Sequence, residues 1–186
     1  VVELPFGRGK KYGSGWNGVT NGILGGWQVT GLWRMTSGMV AGVFNGRLWP
    51  TNWNITPFAT QTGATPEQGV YKDAPSIAGD AGPNIFANPG TAIESWDFTD
   101  PGESGQRNGV RGDGYFTLDF GLMKDFMMPW EGHKLQFRWE VFNITNSVRF
   151  DAYSASLNLG DSGSFGRYES LNTNPRVMQF ALRYEF

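Results

Sequence analysis

The sequence predicts an all-β chain built as an antiparallel up-and-down meander. Apolar and polar residues alternate with period 2 in four separate segments, the mark of strands with one apolar and one polar face. The links between those segments are very unequal: one is a short turn and two are long stretches without sustained periodicity. Helical patterning is weak, because Gly or Pro (27 and 10 of 186 residues) interrupts nearly every window that could hold three turns.

The first segment, 27–45, sets Trp27, Val29, Trp33 and Met35 against Gln28, Thr30, Arg34 and Thr36, with Leu32 its one lapse, and fades near Asn45. In the second, 113–126, Phe116, Leu118, Phe120 and Leu122 alternate with Thr117, Asp119 and Gly121. The third, 133–146, alternates Leu135, Phe137, Trp139 and Val141 with Lys134, Gln136, Arg138 and Glu140. The fourth, 175–186, alternates Met178, Phe180, Leu182, Tyr184 and Phe186 with Gln179, Ala181, Arg183 and Glu185. The turn 127–132 (MMPWEG) joins the second to the third, and 7–26 reads as a further turn region. Residues 46–112 and 147–174 are long loops, the first rich in Gly, Pro, Asn, Thr and Trp.

Composition removes several function classes. A net charge of −2 with 17% charged residues lacks the basic excess that a nucleic-acid partner requires. With no Cys and one His, His133, the chain holds no disulfide framework, thiol nucleophile or multi-His metal site. No apolar run approaches the ~20 residues of a spanning helix. No pair of acid and base residues has a spacing that predicts mutual contact, so an enzyme is not expected. The opening VVELPF has neither an initiator Met nor a signal peptide, and the chain is expected to be a fragment.

An apolar strand face with a charged opposite face fits a soluble sandwich, which buries the apolar side against a second sheet. It fits equally a membrane barrel, in which that side meets lipid and the polar side lines a wet lumen. Three features favour the barrel. The segments 133–146 and 175–186 match or exceed the ~9–11 residues of a tilted spanning strand, where globular strands average ~5–6. Aromatic residues gather at strand ends as a girdle would place them, Trp27, Trp130, Tyr184 and Phe186 on one side and Phe142 and Phe150 on the other. Long loops on one side and short turns on the other are routine in such barrels and unusual in compact domains. The alternative is a soluble, secreted β-sandwich carbohydrate-binding module.

Four segments, ELPFGRGKKYG (3–13), GGWQVTGLWRMTSG (25–38), LQFRWEVFNITN (135–146) and PRVMQFALRYEF (175–186), resemble in order the C-terminal barrel portion of a TonB-dependent outer-membrane receptor. The likeness is to the Oar-like type with a carboxypeptidase-regulatory-like domain. It implies the last four to five strands of a large, about 22-stranded transmembrane β-barrel, incomplete in this chain. It further implies a bacterial outer-membrane location and uptake of a scarce small ligand whose identity two loops cannot rank. The partners implied are outer-membrane lipid, the barrel assembly machinery, and a TonB-type energy-coupling protein acting through parts outside this chain. The ending resembles the C-terminal assembly signal of barrel precursors, carried here by Met178, Phe180, Leu182, Tyr184 and Phe186. No cofactor is implied.

In the barrel reading Arg34, Asp119, Arg138, Glu140 and Arg183 face the lumen. Lys124 breaks the alternation from the lipid side and is expected to snorkel to the interface beyond the short turn. In the long loop, Trp49, Trp53, Trp96 and Asp97 are candidate ligand contacts, since flat aromatic faces beside polar groups suit sugars, peptides or aromatic chelates. Asp97, Asp100, Glu103 and Asp161 are read as solvated loop carboxylates, without the spacing of a calcium loop. GRGKKYG (7–13) lacks the P-loop pattern and reads as a basic turn meeting water or anionic lipid. Arg111-Gly112-Asp113 spells an adhesion tripeptide by chance, beside a turn. Asn54 and Asn143 head glycosylation sequons that a bacterial membrane makes irrelevant.

Overall fold

The computed structural model describes residues 1–47 and 57–186. In chain order the strands are β1 (Val2–Glu3), β2 (Trp27–Thr36), β3 (Val40–Ala41), β4 (Thr60–Gln61), β5 (Tyr71–Pro75), β6 (Ala81–Asn84), β7 (Trp96–Asp97), β8 (Val110–Arg111), β9 (Tyr115–Met127), β10 (Lys134–Phe142) and β11 (Val177–Glu185). Two short helices, α1 (Gly18–Leu24) and α2 (Pro89–Ile93), lie among them. The chain divides into two compact units. One comprises Val1–Arg34, Phe116–Ser147 and Asn174–Phe186; the other comprises Met35–Tyr115 and Val148–Thr173.

The first unit is a sheet in the order β1-β2-β9-β10-β11. The pairs β1/β2, β9/β10 and β10/β11 are antiparallel, as a meander requires. The register puts Trp139 between Leu122 and Phe180, and Gln136 between Asp125 and Arg183. Apolar therefore faces apolar across the three strands. The long strands run 10, 13, 9 and 9 residues, close to the lengths the alternation demands. The sheet is open, with β1 and β11 at its edges.

Two strand ends differ from the sequence reading. The strand expected over 27–45 ends at Thr36, and from Met35 onward its residues belong to the second unit. Backbone passes so close to Gly38 that any side chain there would strike the Gly112 carbonyl. Beyond it Val43 and Asn45 are buried in the second unit. The strand expected to reach 146 ends at Phe142, because Asn143 turns the backbone to a φ of 51°. Asn tolerates this left-handed conformation better than most residues.

Asn143 also closes that strand end. Its amide Nδ2 donates to the carbonyls of Ser147 and Asn174, both at 2.9 Å, and its Oδ1 accepts from the Ser147 N–H at 2.9 Å. Its backbone N–H donates to Asp119 Oδ1 at 2.8 Å. Asn143→Ala removes the side-chain bonds and leaves a β-carbon in a left-handed position. We expect a loss of roughly 2–4 kcal/mol, read as a shift of the urea unfolding midpoint. Asn143→Gly relieves the backbone term alone, so equal losses in both variants would assign the effect to the side chain.

The second unit gathers most of both sequence-predicted loops around its own core. Val43, Ala59, Ile85, Phe86, Trp96, Val110, Phe150, Leu157, Leu159, Phe165 and Tyr168 are among the residues forming it. Backbone bonds between distant segments tie it together: Phe44 donates to Leu157 at 2.7 Å, Ile85 to Gly166 at 2.9 Å and Tyr168 to Pro83 at 2.9 Å. Its two-stranded ladders β3/β8, β4/β7 and β5/β6 involve strands of two to five residues, too short to show a period. Phe150, expected in an aromatic girdle, is 9% exposed and stacks on Tyr168 at 5.1 Å.

Candidate functional site

The features that bear on function are the two faces of the sheet, the aromatic corner at its C-terminal strand, and the loop unit. Strand parity puts Gln28, Thr30, Leu32 and Arg34 of β2 on the same side as Thr117, Asp119 and Gly121 of β9. Arg34 reaches Asp119 at 3.4 Å, and the Thr30 side chain fills the space where a side chain of Gly121 would stand. All five residues read from sequence as lumen-facing, Arg34, Asp119, Arg138, Glu140 and Arg183, lie on this one face.

The charges there are locally balanced. Lys134 pairs with the directly opposite Glu185 at 2.8 Å, and Arg183 reaches Glu185 at 3.1 Å. Arg138 pairs with Glu140 at 2.8 Å, and Gln179, opposite Glu140, donates to it. Gln136 donates to the opposite Asp125 at 2.8 Å. Side chains directly opposite on one strand face are close enough to interact, so parity produces this ladder without further design. Such a surface can hold water and polar solutes and is hostile to hydrocarbon.

The other face carries Trp27, Val29, Trp33, Phe116, Phe120, Leu122, Leu135, Phe137, Trp139, Phe180 and Leu182. Its rings touch across strands: Trp27 with Phe137 at 6.1 Å, Phe120 with Trp139 at 6.0 Å, and Trp139 with Phe180 at 6.0 Å with planes 4° apart. Yet Trp33, Phe180 and Leu182 are 63%, 68% and 70% exposed. A soluble sandwich would bury such a face, which argues against that alternative.

Lys124 sits on this aromatic face, yet it does not run out to water as a snorkelling side chain would. It is 3% exposed, and Nζ donates to the carbonyls of Ile23, at 3.1 Å, and Gly25. These carbonyls end helix α1, where the helix dipole favours a cation. The rings of Trp27 and Phe126 flank the ammonium at 5.3 and 5.0 Å. Sequence reading saw the broken parity; the carbonyl cage needed the helix.

At the strand-end corner His133 Nδ1 lies 2.6 Å from the Tyr184 hydroxyl. Its ring is 6.5 Å from Phe186 and 6.2 Å from Trp130. The last two members of the expected assembly signal thus pack on the β9–β10 turn. Met178, Phe180, Leu182 and Tyr184 follow one another along the aromatic face of β11. The sequence around His133 gives no sign of this corner, since Tyr184 and Phe186 lie about fifty residues further along the chain.

In the loop unit Trp96 is 7% exposed, its ring packed against Phe86 and Phe165 at 5.8 Å each. This position corrects the reading of Trp96 as a ligand platform: it is a core residue. Asp97 is exposed, and its Oδ1 accepts from the following N–H, of Phe98, at 2.7 Å. Trp49 and Trp53 lie outside the described residues. Glu103 accepts from the Asp100 N–H at 3.2 Å and Asp161 from Ser164 at 2.8 Å, so both carboxylates serve turns.

The Arg111-Gly112-Asp113 tripeptide is engaged by bonds within the loop unit. Arg111 donates to the Gly38 carbonyl at 2.6 Å, and Asp113 accepts from Arg149 at 3.3 Å and from the Phe150 N–H at 3.0 Å. Gln68, Arg111, Asp113 and Arg149 line a cleft of about 400 Å³. Nearby, burial pushes the Tyr168 hydroxyl up to about 12, with the Asp113 carboxylate adding to the shift. A raised phenol favours the neutral form when folded. Its stabilising contribution is therefore complete below the ordinary value of 10 and declines as pH rises towards about 12. Alkaline loosening of this unit should follow Tyr ionisation in an absorbance titration, and Tyr168→Phe should weaken that dependence.

A family model described as "Outer membrane beta barrel domain" matches residues 1–179. No curated protein and no solved structure matches the chain.

Proposed function

Given that the chain belongs to the outer membrane β-barrel domain family, whose place is the bacterial outer membrane, we propose that it forms the C-terminal wall of a TonB-dependent receptor importing a scarce small ligand. The observation that carries the reading is the division of the sheet between a charge-paired face and an exposed aromatic face on strands of spanning length. In a barrel, the first lines a wet lumen and the second meets lipid. Arg34, Asp119, Arg138, Glu140 and Arg183 are then lumen residues.

The open edges at β1 and β11 call for further strands, since even the smallest barrels close with about eight. The resemblance of four segments to Oar-like receptors supports a plugged barrel of about 22 strands. In that setting the loop unit is external, and β11 presents the assembly signal to the barrel assembly machinery. The TonB-type protein engages parts beyond these residues. The segment acts by lining a path rather than by catalysis.

The coding sequence upstream of Val1 tests this. Several hundred codons of further alternating strands, preceded by a plug and a signal peptide, are the expected result. A start codon and signal peptide directly before Val1 would overturn the receptor reading.

A further inference from the structure

We propose that the connection between β1 and β2 is a membrane-surface anchor: α1 lays Val19 and Ile23 into the headgroup–acyl boundary while the basic turn 7–13 meets anionic lipid headgroups. The inference rests on the reading of the aromatic strand face as lipid-facing.

Helix α1 (GVTNGIL) has no charged residue and buries none of its own. Val19 and Ile23, one turn apart and hence on one face, are 73% and 59% exposed, with Leu24 beside them. Seven residues are too few for a helix to persist by propensity alone. It is held instead by polar contacts. Asn17 caps the Thr20 N–H at 2.8 Å, Asn21 Oδ1 accepts from the Arg8 N–H at 2.7 Å, and Trp27 Nε1 donates to the Ile23 carbonyl at 2.9 Å.

Lys124 supplies the link that decides the helix's surroundings. It projects from the aromatic face of β9 and bonds the carbonyls of Ile23 and Gly25. The end of α1 is thereby pinned beside Trp27 and Phe126, on the aromatic side of the sheet, with Val19 and Ile23 left exposed. The adjoining GRGKKYG carries three cations and no acid. Arg8 and Lys10 line a hollow of about 330 Å³ with Asn21, Gly25 and Lys124, and Lys10 pairs with Glu3 at 2.7 Å. Apolar side chains beside clustered cations and a Trp are the chemistry of an interfacial segment on an anionic leaflet.

The test uses the full-length protein in vesicles of phosphatidylethanolamine and phosphatidylglycerol. Nitroxide labels are placed at Val19→Cys, at Leu182→Cys as lipid-face reference and at Gln136→Cys on the opposite face. The label at 19 should be several-fold less accessible to a water-soluble nickel relaxant than that at 136, and as open to oxygen as that at 182. Nickel access at 19 equal to that at 136, with 182 still protected, overturns the anchor and leaves the lipid-face reading standing. Nickel access at 182 as well overturns both. Lys124→Met should raise the mobility of the label at 19, and unchanged mobility would remove the clamp. Replacing phosphatidylglycerol with phosphatidylcholine should move that label outward; no movement would overturn the headgroup contact.

Discussion

Trp139→Arg in the full-length protein is expected to lower its stability in lipid vesicles by roughly 3–7 kcal/mol. Trp139 is central in β10 on the aromatic face, packed against Phe120 and Phe180 at 6.0 Å each. An arginine turned to the bilayer midplane costs ~2–4 kcal/mol, and losing two ring contacts removes ~0.5–1.5 kcal/mol apiece. The neighbouring Arg138→Leu provides the contrast. Arg138 is exposed on the charged face, and its pairing with Glu140 is of the kind worth ~0–1 kcal/mol. Urea unfolding of both variants in vesicles measures the difference. Equal losses would mean that the faces are reversed or that neither meets lipid.

Replacing both Tyr184 and Phe186 by Ser should abolish most outer-membrane assembly of the full-length protein, measured as the folded, surface-labelled fraction. The change removes the terminal aromatic pattern of β11 and two rings that pack on His133. Recognition during assembly and stability after it can be separated. His133→Ala removes the partner of both rings but leaves the terminal pattern intact. It should lower the unfolding midpoint while the protein still reaches the membrane. Unchanged surface levels in the double Ser variant would remove the assembly role of these residues.

The sheet was legible because its information is local. Alternation within 116–122, 134–141 and 178–186 assigns each side chain to a face before any pairing is known, and pairing then aligns like with like. Even the exceptions were visible: Leu32 does lie on the polar face and Lys124 on the aromatic one. The loop unit was illegible for the converse reason. Its strands are a few residues long, and its core joins Val43, Phe86, Trp96, Phe165 and Tyr168 from distant parts of the chain. Nothing within reach of any one of them announces burial, which is why Trp96 read as a binding platform.

By itself, then, the sequence determined which residues share a face and how long the strands run, because a period of two is a property of neighbouring residues. Tertiary structure alone decided what the exceptional polar side chains do. Lys124 is stable on an aromatic face because carbonyls at the end of α1, about a hundred residues away in the chain, accept its hydrogen bonds. Asn143 ends β10 because Ser147 and Asn174 converge on its amide. Buried polar groups are governed by the partners they find, and those partners come from folding.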